Sequence, residues 1–291
     1  MSKINNKISI IIVTYNSSRT IFKLIHSLNK IDSYIKEIII IDNNSSDIDK
    51  ILKIKSNKKI VLIKNNKNKG FAKAVNQGIK ISKQNFILLI NPDCYLKNDS
   101  IIDSIKRIQK NNNIGAIGGK IKKDNSDKYQ FTATNSPNFF VGLFEFTNLK
   151  KIFPKNIFSY HFWVENYYKG NQPIKVTSLC GAFMIIRKKI NNKLNLFDEK
   201  FFMYLEDIDY GIKINKQNYD VIFNPISELQ HIGGASSDSK YNIVLKHWYN
   251  SRILLFMKYQ TYFTGTILKQ LFLLEEKFLK IYHKIKGEPY E

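Results

Sequence analysis

Ile8-Ser9-Ile10-Ile11-Ile12-Val13-Thr14-Tyr15-Asn16-Ser17-Ser18 is the stretch that decides the fold. Its first six residues form a near-continuous β-branched run, the pattern of a strand buried on both faces and so of a parallel sheet. Thr14 to Ser18 interrupt it with turn and capping residues, and a helix through about Asn29 is predicted to follow. The unit then recurs. Glu37-Ile38-Ile39-Ile40-Ile41 reads as a second strand, ending on Asp42-Asn43-Asn44-Ser45-Ser46-Asp47. Ile60-Val61-Leu62-Ile63 is a third, and Phe86-Ile87-Leu88-Leu89-Ile90 a fourth, ending on Asn91-Pro92-Asp93. Strands separated by helical stretches predict a doubly wound α/β sheet.

Asn16, Asp42 and Asp93 each lie just past the carboxyl end of a predicted strand. Open α/β sheets bind ligands at that edge. One acidic residue there is an ordinary loop cap; several together point to a site. Between the third and fourth strands lies Asn68-Lys69-Gly70-Phe71-Ala72-Lys73-Ala74-Val75-Asn76. Gly70 permits a tight turn, and the helix beginning there would offer its first N–H groups to phosphate. There is no GxxxxGK[ST] loop and no GxGxxG after the first strand, which argues against a P-loop or a Rossmann dinucleotide site.

The 291 residues suffice for one large domain or two small ones, and 43% hydrophobic content is that of a globular chain. Lys and Arg number 46 against 24 Asp and Glu, a formal charge of +22 that favours anionic partners without choosing among them. Cys94 and Cys180 form no CxxC or Cys/His metal spacing, which fits a reducing cytoplasm. The polar start of the chain lacks the apolar core of a signal peptide, and no uncharged apolar run is long enough to span a bilayer.

In the second half, Gly115 to Ile121 reads as a short strand. Residues 124–172 alternate polar turns with aromatics and lysines. This surface would pack on the core, cover a sugar or lipid acceptor, or stack on bases; no nucleic-acid motif accompanies it. Val176 to Arg187 reads as one buried strand, in which Gly181 and Ala182 would let a substrate approach the backbone. Cys180 lacks a catalytic signature and reads as a structural thiol. Phe201-Phe202-Met203-Tyr204-Leu205-Glu206-Asp207-Ile208-Asp209 places three carboxylates behind an aromatic run. They are either an acidic helix start or a carboxylate tuned by desolvation for proton transfer. Val221 to Pro225 is a last strand, leading to Gln230-His231-Ile232-Gly233-Gly234. Tyr241 to Gln260 reads as a helix, with Arg252 a candidate contact for a diphosphate. In a second helix Ile267, Leu271, Leu274, Phe278, Ile281 and Ile285 form one stripe at a/d spacing. It would dock on the core or on a second copy, or lie on an anionic lipid surface.

The motifs Ile10 to Asn16, Ile41 to Asp47, Asn68 to Ala72 and Leu89 to Asp93 resemble, in order, those of the family 2 glycosyltransferases. The stretch Phe201 to Asp209 resembles their rhamnosyltransferase-like branch. The likeness runs over roughly residues 8–260. It implies a GT-A fold: a Rossmann-like, mostly parallel central sheet with flanking helices, plus a C-terminal helical segment. Residues 1–240 would form the catalytic domain, with 1–120 the nucleotide-sugar half and 121–240 the acceptor half, and 241–291 the C-terminal helices. It also implies inverting transfer from a dTDP- or UDP-sugar, with dTDP-rhamnose favoured, to a glycan or lipid-linked acceptor in surface polysaccharide assembly.

By that resemblance Thr14, Tyr15 and Asn16 line the nucleotide pocket and Asp42 binds base or ribose. Asn68, Gly70 and Asn76 shape the wall near base and diphosphate. Gly181 and Ala182 flank the acceptor, with Glu206 and Asp209 beside it, and Asp207 is the general base. Asp93 is a ligand to Mg²⁺ or Mn²⁺, and His231 compensates for Asn91 where the family has a second aspartate. The loop at Gly233 and Gly234 would close on the donor. Two rivals make different demands. A sugar nucleotidyltransferase needs a Gly- and Arg-rich loop after the first strand, where this chain has Thr14 to Ser18. A charge-driven membrane scaffold or nucleic-acid binder would not depend on Asp207.

Overall fold

Two-sided burial explains the isoleucine runs. In the computed structural model, which describes residues 7–52, 59–232 and 241–285, β1 (Ile8–Thr14) lies between two parallel neighbours, β2 (Ile35–Asp42) and β4 (Phe86–Ile90). Ile10 and Ile12 point into one hydrophobic layer and Ile11 into the other. Ile38 and Ile40 likewise oppose Ile39 and Ile41 on β2. The alternation of β-strand side chains thus makes both faces apolar.

The first layer is covered by α1 (Ile21–Ser27) and later by α4 (Ile101–Lys110). α1 is shorter than its predicted extent and passes into a 3₁₀ turn over Leu28–Tyr34. A short α2 (Ile48–Leu52) follows β2, and β3 (Ile60–Lys64) pairs parallel to β2. α3 (Phe71–Ile81) covers the second layer through Ala72, Val75 and Ile79.

Beyond β4 come β5 (Cys94–Tyr95), α4 and the long β6 (Ile114–Lys123). Then follow β7 (Tyr129–Gln130), β8 (Ala133–Thr134) and the helices α5 (Phe139–Glu145), α6 (Leu149–Ile152) and α7 (Ile157–Phe162). The predicted single strand over Val176–Arg187 is in fact three pieces: β9 (Ile174–Val176), β10 (Ser178–Leu179) and β11 (Phe183–Arg187). The chain turns at Cys180–Ala182, freeing the Gly181 amide from the ladder for another partner. A small hairpin, β12 (Lys189–Ile190) with β13 (Lys193–Leu194), precedes α8 (Glu206–Lys216) and β14 (Asp220–His231).

The main sheet runs β3-β2-β1-β4-β11-β6-β14-β5. Its β3–β4 half is parallel, β6 pairs parallel with β14, and β11 runs antiparallel between the two parts. The two terminal helices, α9 (Tyr241–Tyr259) and α10 (Tyr262–Ile285), share a third core with the second half of the chain. Phe256, Leu268 and Phe272 pack there with Phe146, Phe162, Phe201 and Ile208. Burying aromatic rings of this kind stabilises by about 2–3 kcal/mol each, so α9 and α10 are built into the body of the fold.

Candidate active site

The ends of β1 and β2 meet in register, Thr14 opposite Asp42. The Thr14 hydroxyl donates to Asp42 Oδ1 at 2.9 Å, and the Ser45 amide donates to Oδ2 at 3.0 Å. Asp42 is 1% exposed, so its carboxylate also organises the loop that follows it. Asn16 takes the left-handed backbone region, at φ 54°, and its side-chain oxygen accepts from the Ser46 amide at 2.8 Å. Tyr15 stands exposed at the mouth.

From this edge the contacts lead to Gly70. The Asn43 side-chain Nδ2 donates to the Gly70 carbonyl at 3.1 Å, and Asn68 Oδ1 accepts from the Gly70 amide at 2.9 Å. Gly70 has φ +82°, and a Cβ there would come within 2.4 Å of the Phe202 carbonyl oxygen, so both conformation and space require glycine. That carbonyl accepts from the Phe71 amide at 2.8 Å. The first amide of α3 is therefore taken by the chain itself. Asn76 is placed elsewhere than the pocket wall. It is 1% exposed, accepts from the Phe197 amide at 2.8 Å and donates to the Phe197 carbonyl at 3.0 Å. It clamps α3 to the segment that leads into Phe201.

Phe202 opens the entrance to α8. Tyr204 and Leu205 are consecutive left-handed residues, φ 70° and 63°, a conformation non-glycine residues hold only under constraint. The bend points Asp207 at the turn after β10. Its Oδ2 accepts from the Gly181 amide at 3.0 Å, and its Oδ1 from the Ile208 amide at 2.9 Å. A Cβ on Gly181 would sit 3.4 Å from the Phe71 ring and 3.7 Å from Asp207 Cβ. The bare glycine thus keeps the space between them open. Burial raises the Asp207 pKa above the carboxylate norm, against the pull of these amide bonds. Glu206 is buried with Oε2 unpartnered among the described residues, and burial and the neighbouring Asp207 charge push its pKa up. Burial and Asp207 push the Cys180 thiol up to about 12, so it stays protonated and is no nucleophile.

Ala182, beside Gly181, accepts through its carbonyl from the Asn91 amide at 3.2 Å. This ties the Asp207 turn to the end of β4. Two residues on, Asp93 Oδ2 lies 2.9 Å from His231 Nε2, an approach set by the pairing of β5 with β14. The Ile232 amide donates to the Asp93 carbonyl at 2.9 Å. Gln130 of β7, unmarked in the sequence reading, lies 2.6 Å from His231 Nδ1 and fixes the ring from behind. Asp93 Oδ1 is buried with no partner among the described residues. An orphaned carboxylate oxygen beside an imidazole nitrogen is a donor set that fits a divalent cation. Cys94 is near enough to join them, and burial holds its thiol well above its ordinary pKa. The Gly233–Gly234 loop lies outside the described residues.

Two further expectations are corrected. Asp209 does not face the Gly181 turn. Two residues past Asp207 it lies on the other side of α8, fully buried, 2.6 Å from Lys258 Nζ and 2.7 Å from the Tyr259 hydroxyl. Arg252 is 3% exposed between α9 and α10. Its guanidinium stacks 4.1 Å from the Tyr249 ring centre and 4.6 Å from that of Phe272, and it bonds the Phe146 carbonyl. An apolar, aromatic neighbourhood has taken it into the core. α9 instead serves the site through His247, stacked on Phe202 at 4.0 Å, and Ser251, which donates to the Met203 carbonyl at 2.7 Å.

A half-parallel α/β sheet whose strand ends gather such a cleft defines the GT-A class of glycosyltransferase fold. A family model described as Glycosyl transferase family 2 matches residues 9–194. The chain belongs to that family and is a glycosyltransferase. It is 22% identical over 236 residues to the N-acetylglucosaminyl-diphospho-decaprenol L-rhamnosyltransferase of Mycobacterium tuberculosis, covering 76% of this chain and 75% of that one. Among solved structures it is similar to GalNAc-T7 with UDP, GalNAc and Mn²⁺, at a TM-score of 0.61 and 16% identity over 98% of this chain. The chain spans 59% of that protein. It is also similar to S. aureus TarS 1–349 in complex with UDP-GlcNAc, at TM-score 0.55 and 18% identity, covering 92% of this chain and 71% of that one. At these identities the structural likeness speaks for the fold.

Proposed function

We propose that the chain transfers a sugar, with inversion, from a nucleotide-sugar to an acceptor hydroxyl, and that Asp207 is the base. One observation carries this reading. An unbroken line of contacts runs from Thr14–Asp42 through Asn43–Gly70 and Phe71–Phe202 to Gly181–Asp207 and, through Asn91–Ala182, to Asp93–His231. These contacts support reading the nucleotide edge, the acceptor turn and the cation donors as adjoining parts of one site.

Asp93 and His231 would hold a divalent cation. When bound, it offsets the charge that develops on the departing diphosphate. The chain's own residues do the rest. The acceptor oxygen attacks the anomeric carbon as the bond from that carbon to the diphosphate oxygen breaks. The diphosphate leaves with the electron pair, and the acceptor proton passes to Asp207. The upward pull of burial makes Asp207 a stronger base than an exposed carboxylate. Thr14, Tyr15, Asn16 and Asp42 form the nucleotide edge, and the gap at Gly181 admits the acceptor.

The name of the M. tuberculosis relative supports L-rhamnose as the sugar and an acceptor carried on a lipid diphosphate; we infer dTDP-rhamnose as the donor and the cytoplasmic side as the place. The UDP-GlcNAc complex of TarS supports a UDP-sugar as the second reading. Calorimetry with dTDP-, UDP- and GDP-sugars, each with Mn²⁺ and with EDTA, separates them. Cation-dependent binding of dTDP-rhamnose is expected. Binding of none, under either condition, overturns the proposal.

A further inference from the structure

The face that α10 buries is not the a/d stripe of its sequence. Leu268 and Phe272 are fully buried against α5 and α9, whereas the stripe, half-buried at Ile267 and Leu271, points outward from Leu274 on, with Phe278 70% and Ile285 81% exposed and Leu274 and Ile281 exposed beside them. The Asn148 amide, at the head of α6, donates to Glu275 Oε1, which sets α6 alongside the middle of α10. At the tail of α6, Ile152 is 66% exposed, and Phe153 follows it into solvent. Two neighbouring elements therefore present large apolar side chains outward, more than scattered surface residues account for.

Lysines accompany this surface on both elements. Lys151 and Lys155 are exposed around Ile152 and Phe153, and Lys277 along α10, where Lys280 is paired with Glu276 at 3.0 Å. We propose that the outer face of α10 and the tail of α6 together seat on an anionic lipid bilayer, the apolar side chains entering the headgroup boundary and the lysines meeting lipid phosphate. Charge decides between this occupant and a second copy. At +22 the chain repels its own copy, and a paired face would bring its lysines together. An anionic surface uses the same lysines favourably. No helix among the described residues is long and apolar enough to cross a membrane, so the contact lies in the interfacial plane. The inference is independent of the donor and base assignments.

Flotation of the full chain with vesicles tests it, using phosphatidylcholine alone and mixed with phosphatidylglycerol, at low and high salt. The wild type should float with the anionic vesicles. The variant Phe278→Ser/Ile285→Ser, with an unchanged far-UV circular dichroism spectrum and unfolding midpoint, should partition about tenfold less. Lys151→Gln/Lys155→Gln should lose binding at low salt as well. Three results would overturn the proposal. They are no flotation of the wild type on anionic vesicles, equal flotation of the Phe278→Ser/Ile285→Ser variant, and a lipid-free dimer by light scattering that this variant converts to monomer.

Discussion

The β1–β2 edge and the entrance to α8 are built by opposite means. At the first, polar side chains mostly satisfy one another: Thr14 and Ser45 serve Asp42, and Asn43 joins Gly70 to Asn65. The left-handed residues there are Asn16 and Asn44, of a type that tolerates that region, and Asp47 Oδ1 is the one orphaned carboxylate oxygen among the described residues there. At the second, costs accumulate. Tyr204 and Leu205 are left-handed, Glu206 Oε2 has no partner among the described residues, and Asp207 is half-buried with its pKa raised by desolvation. Such costs persist only where surrounding structure enforces them. Here the enforcement comes from α3, through Phe71 on Phe202, and from α9, through His247, Ser251 and Lys258. A surface that must recognise a ligand can be self-sufficient. On the proposed roles, the group that moves the proton is held away from its own optimum.

The sharpest way to break this contrast is at Asp207. Asp207→Asn keeps size and, through its single oxygen, one of the Gly181 and Ile208 amide contacts, but cannot accept the proton. Turnover should fall about 10³-fold, within the range for general-base catalysis, while calorimetric affinity for the nucleotide-sugar holds. Near-normal turnover would remove Asp207 as the base. Wild-type kcat should also fall with acid, because the base works only when unprotonated. Burial raises its pKa, so that loss begins at higher pH than for an exposed aspartate.

The next largest effect belongs to Gln130. It touches His231 and not the proposed cation, so Gln130→Ala should weaken Mn²⁺ affinity by about 10–100-fold, as loss of a ligand's supporting hydrogen bond does. Titration of Mn²⁺ into the variant reads this directly. An unchanged affinity would mean that His231 is held by Asp93 alone, or is no ligand.

Support from α9 is tested at Lys258. Lys258→Met leaves the buried Asp209 carboxylate with the Tyr259 hydroxyl alone and should cost about 3 kcal/mol of stability. If α9 positions the α8 entrance, kcat of the folded variant should drop with KM for the donor unchanged. Equal changes in both would mean general loosening. Asn76, Asp209 and Arg252 explain why this support was not legible in the sequence. Each residue type suits a pocket as well as a core, and only the facing of its helix decides. Asp207 and Asp209 are two positions apart on α8 and so look in different directions. The sheet was legible because both-face burial writes itself as uninterrupted Ile and Val. The Asp93–His231 approach depends on β5 pairing with β14 across nearly half of the chain, which spacing alone does not reveal. The α10 stripe has the same a/d spacing whether docked or free, and burial of Leu268 and Phe272 settles which face meets the core.

Glu206 gives a smaller effect with a definite sign. Its folded pKa is raised, so its protonated form is the one folding favours, and that contribution is lost as pH rises through the raised value. Glu206→Gln removes the buried charge. It should raise the unfolding midpoint by roughly 2–4 °C at alkaline pH, with the gain shrinking at pH values below the ordinary glutamate range. A gain that is the same at all pH values would mean that Glu206 is not desolvated.

The least effect is expected at Cys180, and its smallness is informative. The thiol lies next to the Gly181 turn, close enough to Asp207 for that charge to help push its pKa to about 12. A nucleophilic cysteine needs the reverse, a positive neighbourhood that lowers its pKa. Cys180→Ala should therefore leave kcat within about twofold, since covalent chemistry would need a thiolate that this site disfavours. Iodoacetamide should label the native protein at Cys180 slowly if at all. A large loss of turnover in Cys180→Ala, with Asp207→Asn still active, would exchange the roles of the two residues. It would turn a single displacement with inversion into a two-step transfer through a covalent sugar, and the product's anomeric configuration, read by NMR, would report the exchange.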